Sequence, residues 1–209
     1  MIDISYLVLG LLQNNTFLLK DENSGELAVI DPSIGCDELF DAIDSNGGKL
    51  KYILLTHGHF DHVGGVKSLK DRYCDAKICI SKDEMKLLKD DSLNGAKLHH
   101  LKFDDFDVDV ELSDGDIVVL GNDEIKFITT PGHTAGSGCY ILNNHIFSGD
   151  TLFCQSIGRT DFPTSNHSDM LKSLRKLKNL EGEYAVYPGH DVFTTLDSER
   201  KYNPYMKQV

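Results

Sequence analysis

The chain has 209 residues, with 21 Lys and Arg against 33 Asp and Glu, and a formal net charge of −12. Hydrophobic residues make up 40% and charged residues 26%, which is ordinary globular composition and excludes a disordered chain. The acidic balance argues against a general nucleic-acid binder, and no stretch approaches the ~20 apolar residues that span a bilayer. We therefore expect one domain over residues 1–209, without nucleic-acid or membrane partners.

Five cysteines are spaced irregularly, and none forms a C-x-x-C pair: Cys36, Cys74, Cys79, Cys139 and Cys154. The odd count and the spacing argue against a disulfide framework or a cysteine zinc knuckle. We interpret these residues as buried free thiols, and we expect a cytoplasmic protein.

Strands and helices alternate along the chain. Apolar runs predict strands at residues 4–9, 16–19, 27–30, 52–55, 77–80, 106–112, 117–120, 125–129, 140–142, 146–147 and 184–187. Amphipathic spacing predicts helices at residues 37–44, 65–72, 168–178 and 195–202. Ser81 to Glu84 fits a capping box ahead of a short helix. Residues 121–123 and 143–144 are predicted hairpin turns. This mixture indicates sheets covered by helices, in α/β or α+β style.

Metal-ligand side chains cluster between Thr56 and His62, where the sequence reads Thr-His-Gly-His-Phe-Asp-His. In a strand, positions 57, 59 and 61 share one face, and His62 can join them only if the chain turns there. The cluster follows the apolar strand 52–55. Imidazole and carboxylate groups at this density suit a divalent transition metal such as zinc.

Three further candidates follow predicted strands in the same way. His133, Asp150 and His190 each come directly after a glycine in the loop that follows a strand. Loops held on a rigid sheet are where sites are built. We therefore predict that seven side chains converge: His57, His59, Asp61, His62, His133, Asp150 and His190. Seven ligands are too many for one tetrahedral ion, but they suit two ions that share a carboxylate.

Other polar residues receive plainer interpretations. Asp31, which follows the strand 27–30, is placed to orient a ligand histidine. The remaining histidines sit in polar or hairpin contexts without partners, and we interpret them as ordinary surface or capping residues: His99, His100, His145 and His167.

The order of these motifs resembles that of the metallo-β-lactamase-fold hydrolases, over nearly the whole chain. Membership implies an α+β fold, an αβ/βα sandwich of two mixed sheets flanked by helices, with the metals at one edge. The resemblance also implies an assignment of ligands. The first ion would be held by His57, His59 and His133, and the second by Asp61, His62 and His190. Asp150 would bridge the two ions.

Within that family the chain resembles the short bacterial members of the glyoxalase II-like branch. Residues 156–163, Ser-Ile-Gly-Arg-Thr-Asp-Phe-Pro, and the tail at residues 203–205 carry this likeness. Full-length glyoxalase II enzymes bind glutathione through a C-terminal region and a Lys-x-Tyr sequence, which this chain replaces with Arg159, Thr160 and Asp161. We interpret Arg159 either as a contact for a substrate carboxylate or as the ion-pair partner of Asp161.

The resemblance implies a dinuclear metal-dependent hydrolase that cleaves a small-molecule thioester, such as a hydroxyacyl-thiol, through a metal-bound hydroxide. Asp61 and Asp150 would orient that hydroxide and so act as catalytic residues. Zinc is the default for both divalent ions, with iron or manganese as alternatives. The alternative activity is that of a mononuclear iron persulfide dioxygenase on the same fold. That enzyme would use His57, His133 and Asp150, and its loop also reads Gly-Arg-Thr-Asp-Phe.

Overall fold

The computed structural model describes residues 1–101 and 104–209, which form 14 strands and six α-helices. The strands are β1 (Ile2–Leu9), β2 (Asn14–Asp21), β3 (Glu26–Ile30), β4 (Lys49–Leu54), β5 (Lys77–Ser81), β6 (Val110–Leu112), β7 (Ile117–Leu120), β8 (Asp123–Thr129), β9 (Gly138–Leu142), β10 (His145–Gly149), β11 (Leu152–Phe153), β12 (Ser156–Ile157), β13 (Ala185–Pro188) and β14 (Thr194–Thr195). The helices are α1 (Asp37–Ser45), α2 (Phe60–Val63), α3 (Val66–Arg72), α4 (Met85–Leu88), α5 (His167–Lys178) and α6 (Leu196–Tyr202). Across the described residues, no helix is both long and apolar enough to cross a membrane.

Twelve of the strands form two mixed six-stranded sheets, and β11 and β12 form a separate ribbon. The first sheet has the order β1-β2-β3-β4-β5-β6, in which the pairs from β3 to β6 are parallel and the two pairs before them antiparallel. The second sheet has the order β14-β13-β10-β9-β8-β7, in which only the β10–β13 pair is parallel. The predicted α+β class is confirmed.

Three buried apolar clusters hold four layers together. Leu39 of α1 and Leu69 of α3 pack against the outer face of the first sheet. Phe17 and Phe127 belong to the cluster between the two sheets, and Leu174 of α5 lies against the outer face of the second. The layers therefore run helix, sheet, sheet, helix, as expected for an αβ/βα sandwich.

The two longest helices form where their apolar spacing predicts them. In α1, Leu39 and Ile43 are buried one turn apart, and Gly47 follows the helix with φ +65°. In α5 the side chain of Asn166 accepts the N–H of Asp169 at 3.2 Å and caps the first turn. Local sequence signals therefore set these boundaries to within about a residue.

The alternating run at residues 106–112, predicted as one strand, forms ladder hydrogen bonds only at its end. Burial alternates as predicted, since Phe106 and Val108 pack on the first core while Asp107 is exposed. The strand is short because its parallel partner β5 begins only at Lys77, and Cys79 pairs with Val110. Residues 106 and 107 therefore lie beyond the start of β5 and have no residue of that strand opposite them.

The predicted capping box at Ser81 to Glu84 is only half formed. The hydroxyl of Ser81 accepts the N–H of Asp83 at 3.3 Å, and a 3-10 turn leads into α4. The fully buried carboxylate of Glu84 instead accepts the N–H of Gly58 and the N–H of Gly136, each at 2.7 Å. Glu84 thus joins two loops that are remote in sequence.

Tyr140 ties the two sheets together at the edge where these loops meet. Its ring is fully buried, and its hydroxyl lies 3.0 Å from the carbonyl of Leu55 and 3.3 Å from that of Cys79. The N–H of Gly138 also donates to the carbonyl of Thr56 at 2.9 Å. The ends of β4 and β9 are therefore held side by side, which brings loops from both sheets to one place.

Candidate metal centre

All seven side chains predicted to converge lie at this edge, in four loops. The loop after β4 carries four of them, and its last two fall in α2, the turn that the sequence required for His62 to join the group. His133 follows β8, Asp150 follows β10 and His190 follows β13. These side chains fall into three overlapping sets whose ligand atoms lie within 4.8 Å of one another: His57, His59 and His133; His57, His62 and Asp150; Asp61, His62 and His190.

The first group contains three imidazoles. Nδ1 of His59 lies 3.1 Å from Nε2 of His57 and 2.9 Å from Nε2 of His133. The rings of His57 and His133 meet that of His59 nearly at right angles. Each ring therefore directs one nitrogen toward a common point, as the ligands of a tetrahedral metal ion do.

The second group adds the carboxylates. Oδ2 of Asp61 lies 3.1 Å from Nε2 of His190 and 3.5 Å from Nε2 of His62. Asp150 faces both groups, because its Oδ1 is 3.4 Å from Nε2 of His62 while its Oδ2 is 3.5 Å from Nε2 of His133. Asp150 thus occupies the place of a shared ligand.

The outer ring nitrogens of four histidines are held by acceptors. Nδ1 of His133 donates to the carbonyl of Arg159 at 2.9 Å, and Nδ1 of His190 to the carbonyl of Leu12 at 3.1 Å. A carbonyl only accepts, so these contacts leave the Nε2 lone pair free to face the site.

The other two contacts run through Asp31. Its Oδ2 accepts from Nδ1 of His62 at 2.9 Å and from the hydroxyl of Thr56 at 2.6 Å. That hydroxyl lies 3.1 Å from Nδ1 of His57 and can accept its proton. The structure therefore places Asp31 as the sequence predicted, behind a ligand histidine. The carbonyls of Arg159 and Leu12 carried no signal in the sequence, because any residue supplies one.

Burial lowers the pKa of the histidines in the first group. The pKa of His59 falls to about 3, chiefly through desolvation and then through the neighbouring His133. Burial also lowers the pKa of His133, and it lowers that of His57 well below its ordinary value. These three imidazoles are neutral at physiological pH, which is the form that binds metals.

Charge works differently in the second group. Burial opposes the charged form of His62, but the carboxylates of Asp61, Asp150 and Asp31 outweigh it and raise the pKa well above its usual value. Burial likewise opposes ionisation of Asp150, yet His62 beside it lowers the pKa well below the ordinary range. The imidazolium form of His62 and the ionised carboxylates around it thus stabilise each other.

The donor set fits divalent metal ions. Oδ1 of Asp150 is buried and accepts no hydrogen bond from the described residues, although a buried carboxylate oxygen normally has a partner. Three imidazole nitrogens with low pKa values converge beside it. Nitrogen and carboxylate donors of this kind bind zinc, iron and manganese.

A cleft of about 720 Å³ opens on this cluster. Five of the seven side chains line it: His59, Asp61, His133, Asp150 and His190. The rest of the lining is largely apolar and includes Leu12, Phe60, Leu98, Phe153, Ile157 and Phe162. His99, interpreted as a surface or capping residue without partners, does have one: its half-buried ring lines the cleft, and the ring centre lies 4.7 Å from that of Phe60.

Arg159 also lines the cleft. It forms an ion pair with Asp161, which is one of the two interpretations that the sequence suggests. Its Nε and Nη2 donate to the two carboxylate oxygens of Asp161, each at 2.9 Å. The guanidinium carbon lies 4.4 Å from the centre of the Phe162 ring. The guanidinium group is therefore held at its edge by the carboxylate of Asp161 and on its face by the ring of Phe162.

Two mixed sheets between helices, with a histidine and aspartate centre at one edge, define a class of metal-binding proteins. The family described as the Metallo-beta-lactamase superfamily matches residues 9–190, and the chain belongs to it.

Three curated relatives are named as hydrolases. Hydroxyacylglutathione hydrolase GloC of Haemophilus influenzae is 32% identical, over 93% of this chain and 92% of its own. A probable metallo-hydrolase of Streptococcus pyogenes is 32% identical over 92% and 85%, respectively. The probable polyketide biosynthesis zinc-dependent hydrolase BaeB of Bacillus velezensis is 31% identical over 85% and 72%. Hydrolysis is the activity that these three names share, and two of the names also specify a metal.

Solved structures share the fold over nearly the whole chain. The B3 metallo-beta-lactamase BLEG-1 has a TM-score of 0.90 and 31% identity, covering 98% of this chain and 99% of its own. TTHA1623, in a di-iron-bound form, has a TM-score of 0.85 and 30% identity, covering 96% and 99%. ETHE1 from Myxococcus xanthus has a TM-score of 0.82 and 28% identity, covering 97% and 83%. The metallo-β-lactamase fold expected from the sequence is confirmed.

Proposed function

We propose that the protein is a dinuclear metal-dependent hydrolase that cleaves thioesters. The observation that carries this proposal is the position of Asp150 between the two histidine groups: its Oδ1 lies 3.4 Å from His62, and its Oδ2 lies 3.5 Å from His133 and 3.7 Å from His190. His57, His59 and His133 would hold one ion. Asp61, His62 and His190 would hold the other, with Asp150 shared between them.

Two divalent ions at this centre would supply an activated water and a Lewis acid for the acyl oxygen. The chain supplies the rest. The pKa of Asp61 is lowered, since His62 and His190 outweigh the effect of burial, and that of Asp150 is lowered further. Both carboxylates are therefore ionised at neutral pH and can accept hydrogen bonds from the attacking water. We assign them the catalytic role of orienting it.

A thioester fits this site because its leaving group is a thiolate. Because a thiol has a pKa of about 8.5, its thiolate departs without prior protonation, whereas the nitrogen of an amide needs a proton donor. Outside the metal cluster, the described lining of the cleft offers few titratable groups, chiefly His99 and the exposed Asp191. The name of the relative GloC, hydroxyacylglutathione hydrolase, supports the same class of substrate.

Metal analysis and hydrolysis together test the proposal. Protein purified without added metal should contain close to two divalent ions per chain and should cleave an S-acetyl or S-lactoyl thioester without oxygen. Asp150→Asn should lose hydrolysis and reduce the content of both ions. Asp3→Asn, which makes the same charge change at an exposed residue of β1, should behave as wild type. An Asp150→Asn protein that retains both ions and full activity would contradict the proposal.

The second candidate is the mononuclear iron persulfide dioxygenase. The loop from Gly158 to Phe162, which lines the cleft through Arg159 and Phe162, is compatible with this activity as it is with the hydrolase, and does not decide between them. Its three ligands would be His57, His133 and Asp150. This enzyme should require ferrous iron and should consume oxygen only when a persulfide is supplied. Oxygen uptake with glutathione persulfide, with no thioester cleavage in any metal form, would establish it in place of the hydrolase.

A further inference from the structure

Several apolar side chains on the walls of the cleft are accessible to solvent, beside polar ones such as Ser92 and Ser156. Leu98 is 73% exposed and Leu12 is 41% exposed, and both line the cleft that opens on the metal centre. The half-buried rings of Phe153 and Phe162 extend this surface. Accessible apolar side chains grouped in a concavity bind apolar parts of a ligand, because that contact removes both surfaces from water.

Positive charge on these walls is scarce. Arg159 is the one Arg or Lys in the described lining, and Asp161 already neutralises it through two hydrogen bonds of 2.9 Å. The lining also includes Asp191, an exposed carboxylate beside His190. A substrate carboxylate on the wall would therefore have to displace Asp161 from Arg159 to find a cationic partner.

The reacting carbonyl of a thioester must lie at the metal centre, so the acyl and thiol portions both extend from it along the walls. We propose that this cleft selects thioesters whose thiol is uncharged and largely apolar, and that it discriminates against thiols that carry carboxylates, such as glutathione. This proposal rests on the proposed thioesterase function. The Arg159–Asp161 pair is the element that sets the discrimination.

Hydrolysis of a matched series tests the preference. One acyl group is placed on three thiols: glutathione, N-acetylcysteamine and benzyl mercaptan. We expect kcat/KM to be at least about tenfold higher for the two neutral thioesters, a difference in transition-state binding of ~1.4 kcal/mol. Equal or better cleavage of the glutathione thioester would overturn the selectivity and leave the proposed function intact. No cleavage of any of the three would overturn both.

Binding of uncleavable thioethers tests the selectivity without turnover. Calorimetry should show tighter binding of S-hexyl-N-acetylcysteamine than of S-hexylglutathione to the metal-loaded protein. Asp161→Asn frees Arg159, and we expect it to tighten binding of S-hexylglutathione by about fivefold, since an exposed charge pair contributes up to ~1 kcal/mol. Binding of the neutral thioether should not change.

The matched control is Asp75→Asn. Lys49 and Asp75 form an ion pair of the same length, 2.9 Å, with side chains 68% and 71% exposed, against 66% for each partner of the Arg159–Asp161 pair. This variant makes the same charge change away from the cleft and should leave both dissociation constants unchanged. If Asp161→Asn also leaves S-hexylglutathione binding unchanged, or if Asp75→Asn tightens it equally, the assigned role of the Arg159–Asp161 pair is overturned.

Discussion

The carboxylate of Glu84 accepts the backbone N–H of Gly58 at 2.7 Å, between the two histidines that flank that glycine. Its other oxygen accepts the N–H of Gly136, in the loop that begins with His133. Burial raises the pKa of Glu84, and the hydrogen bonds that it accepts from the two loops oppose that rise. Glu84 therefore fixes the spacing of the His57–His59 loop and the His133 loop without touching the metal site.

Glu84→Gln should lower the free energy of unfolding by about 2–3 kcal/mol, because an amide NH₂ would face a backbone N–H in place of one carboxylate oxygen. The first metal group should also lose its geometry, which the absorption spectrum of the cobalt-substituted protein would show. Glu38→Gln, at an exposed position of α1, is the control for the change of charge. A Glu84→Gln spectrum identical to that of wild type would show that Glu84 only stabilises the fold.

Asp31→Asn should weaken metal binding by roughly 10- to 100-fold, the usual effect of removing a partner behind a ligand histidine. The substituted amide can still accept one hydrogen bond from Thr56, but its NH₂ would face Nδ1–H of His62. Competition with a chromophoric chelator measures the change. Asp107→Asn, on the exposed face of the run before β6, should bind metal as wild type does. Unaltered affinity in Asp31→Asn would mean that the ring of His62 is held by its other neighbours.

Two of the five cysteines should resist alkylation in the native protein. Burial raises the pKa of Cys79 to about 12 and that of Cys139 to about 11. The thiolate is the reactive form, so a pKa of 12 leaves only ~10⁻⁴ of the thiol ionised at pH 8. Labelling of Cys74, which is exposed, should come first, and labelling of the buried pair should accelerate only at strongly alkaline pH. Mass spectrometry after brief treatment with iodoacetamide measures this order. Rapid labelling of Cys139 at pH 7 would contradict it.

Tyr140→Phe should destabilise the protein by about 1–2 kcal/mol. The substitution removes the hydroxyl that donates to the carbonyls of Leu55 and Cys79, and Tyr140 is fully buried. Denaturant unfolding measures the effect. Tyr202→Phe removes a hydroxyl from a side chain that is 51% exposed and should change the stability by less than about 0.5 kcal/mol. Equal stability of the two variants would show that water replaces the lost hydrogen bond between the sheets.

The sequence predicted which seven side chains converge. Four of them could be predicted because each follows an apolar strand: His57, His133, Asp150 and His190. Short apolar runs predict where strands end. Glu84 was misread, because its position after Ser81 imitates a capping box while its real partners are backbone N–H groups some 26 and 52 residues away. No local pattern reports such partners.

The shortest strands were not predicted, for a related reason. The two-residue strands β11, β12 and β14 are too brief for a hydrophobic period, and they form only because longer strands bring their ends together. The place of His99 in the cleft lining, beside the ring of Phe60, arises only in the folded chain. Of the five free cysteines interpreted as buried, only two are; Cys74 is exposed, and Cys36 and Cys154 are half-buried.

The ligand set is divided between the two sheets, and this division bears on how the protein matures during synthesis. Of the seven side chains, those in residues 57–62 leave the ribosome first and His190 leaves last. A centre built from these residues can close only after the second sheet has docked on the first. Ion uptake would then be one of the last events in maturation, and it would stabilise the finished sandwich without guiding its assembly.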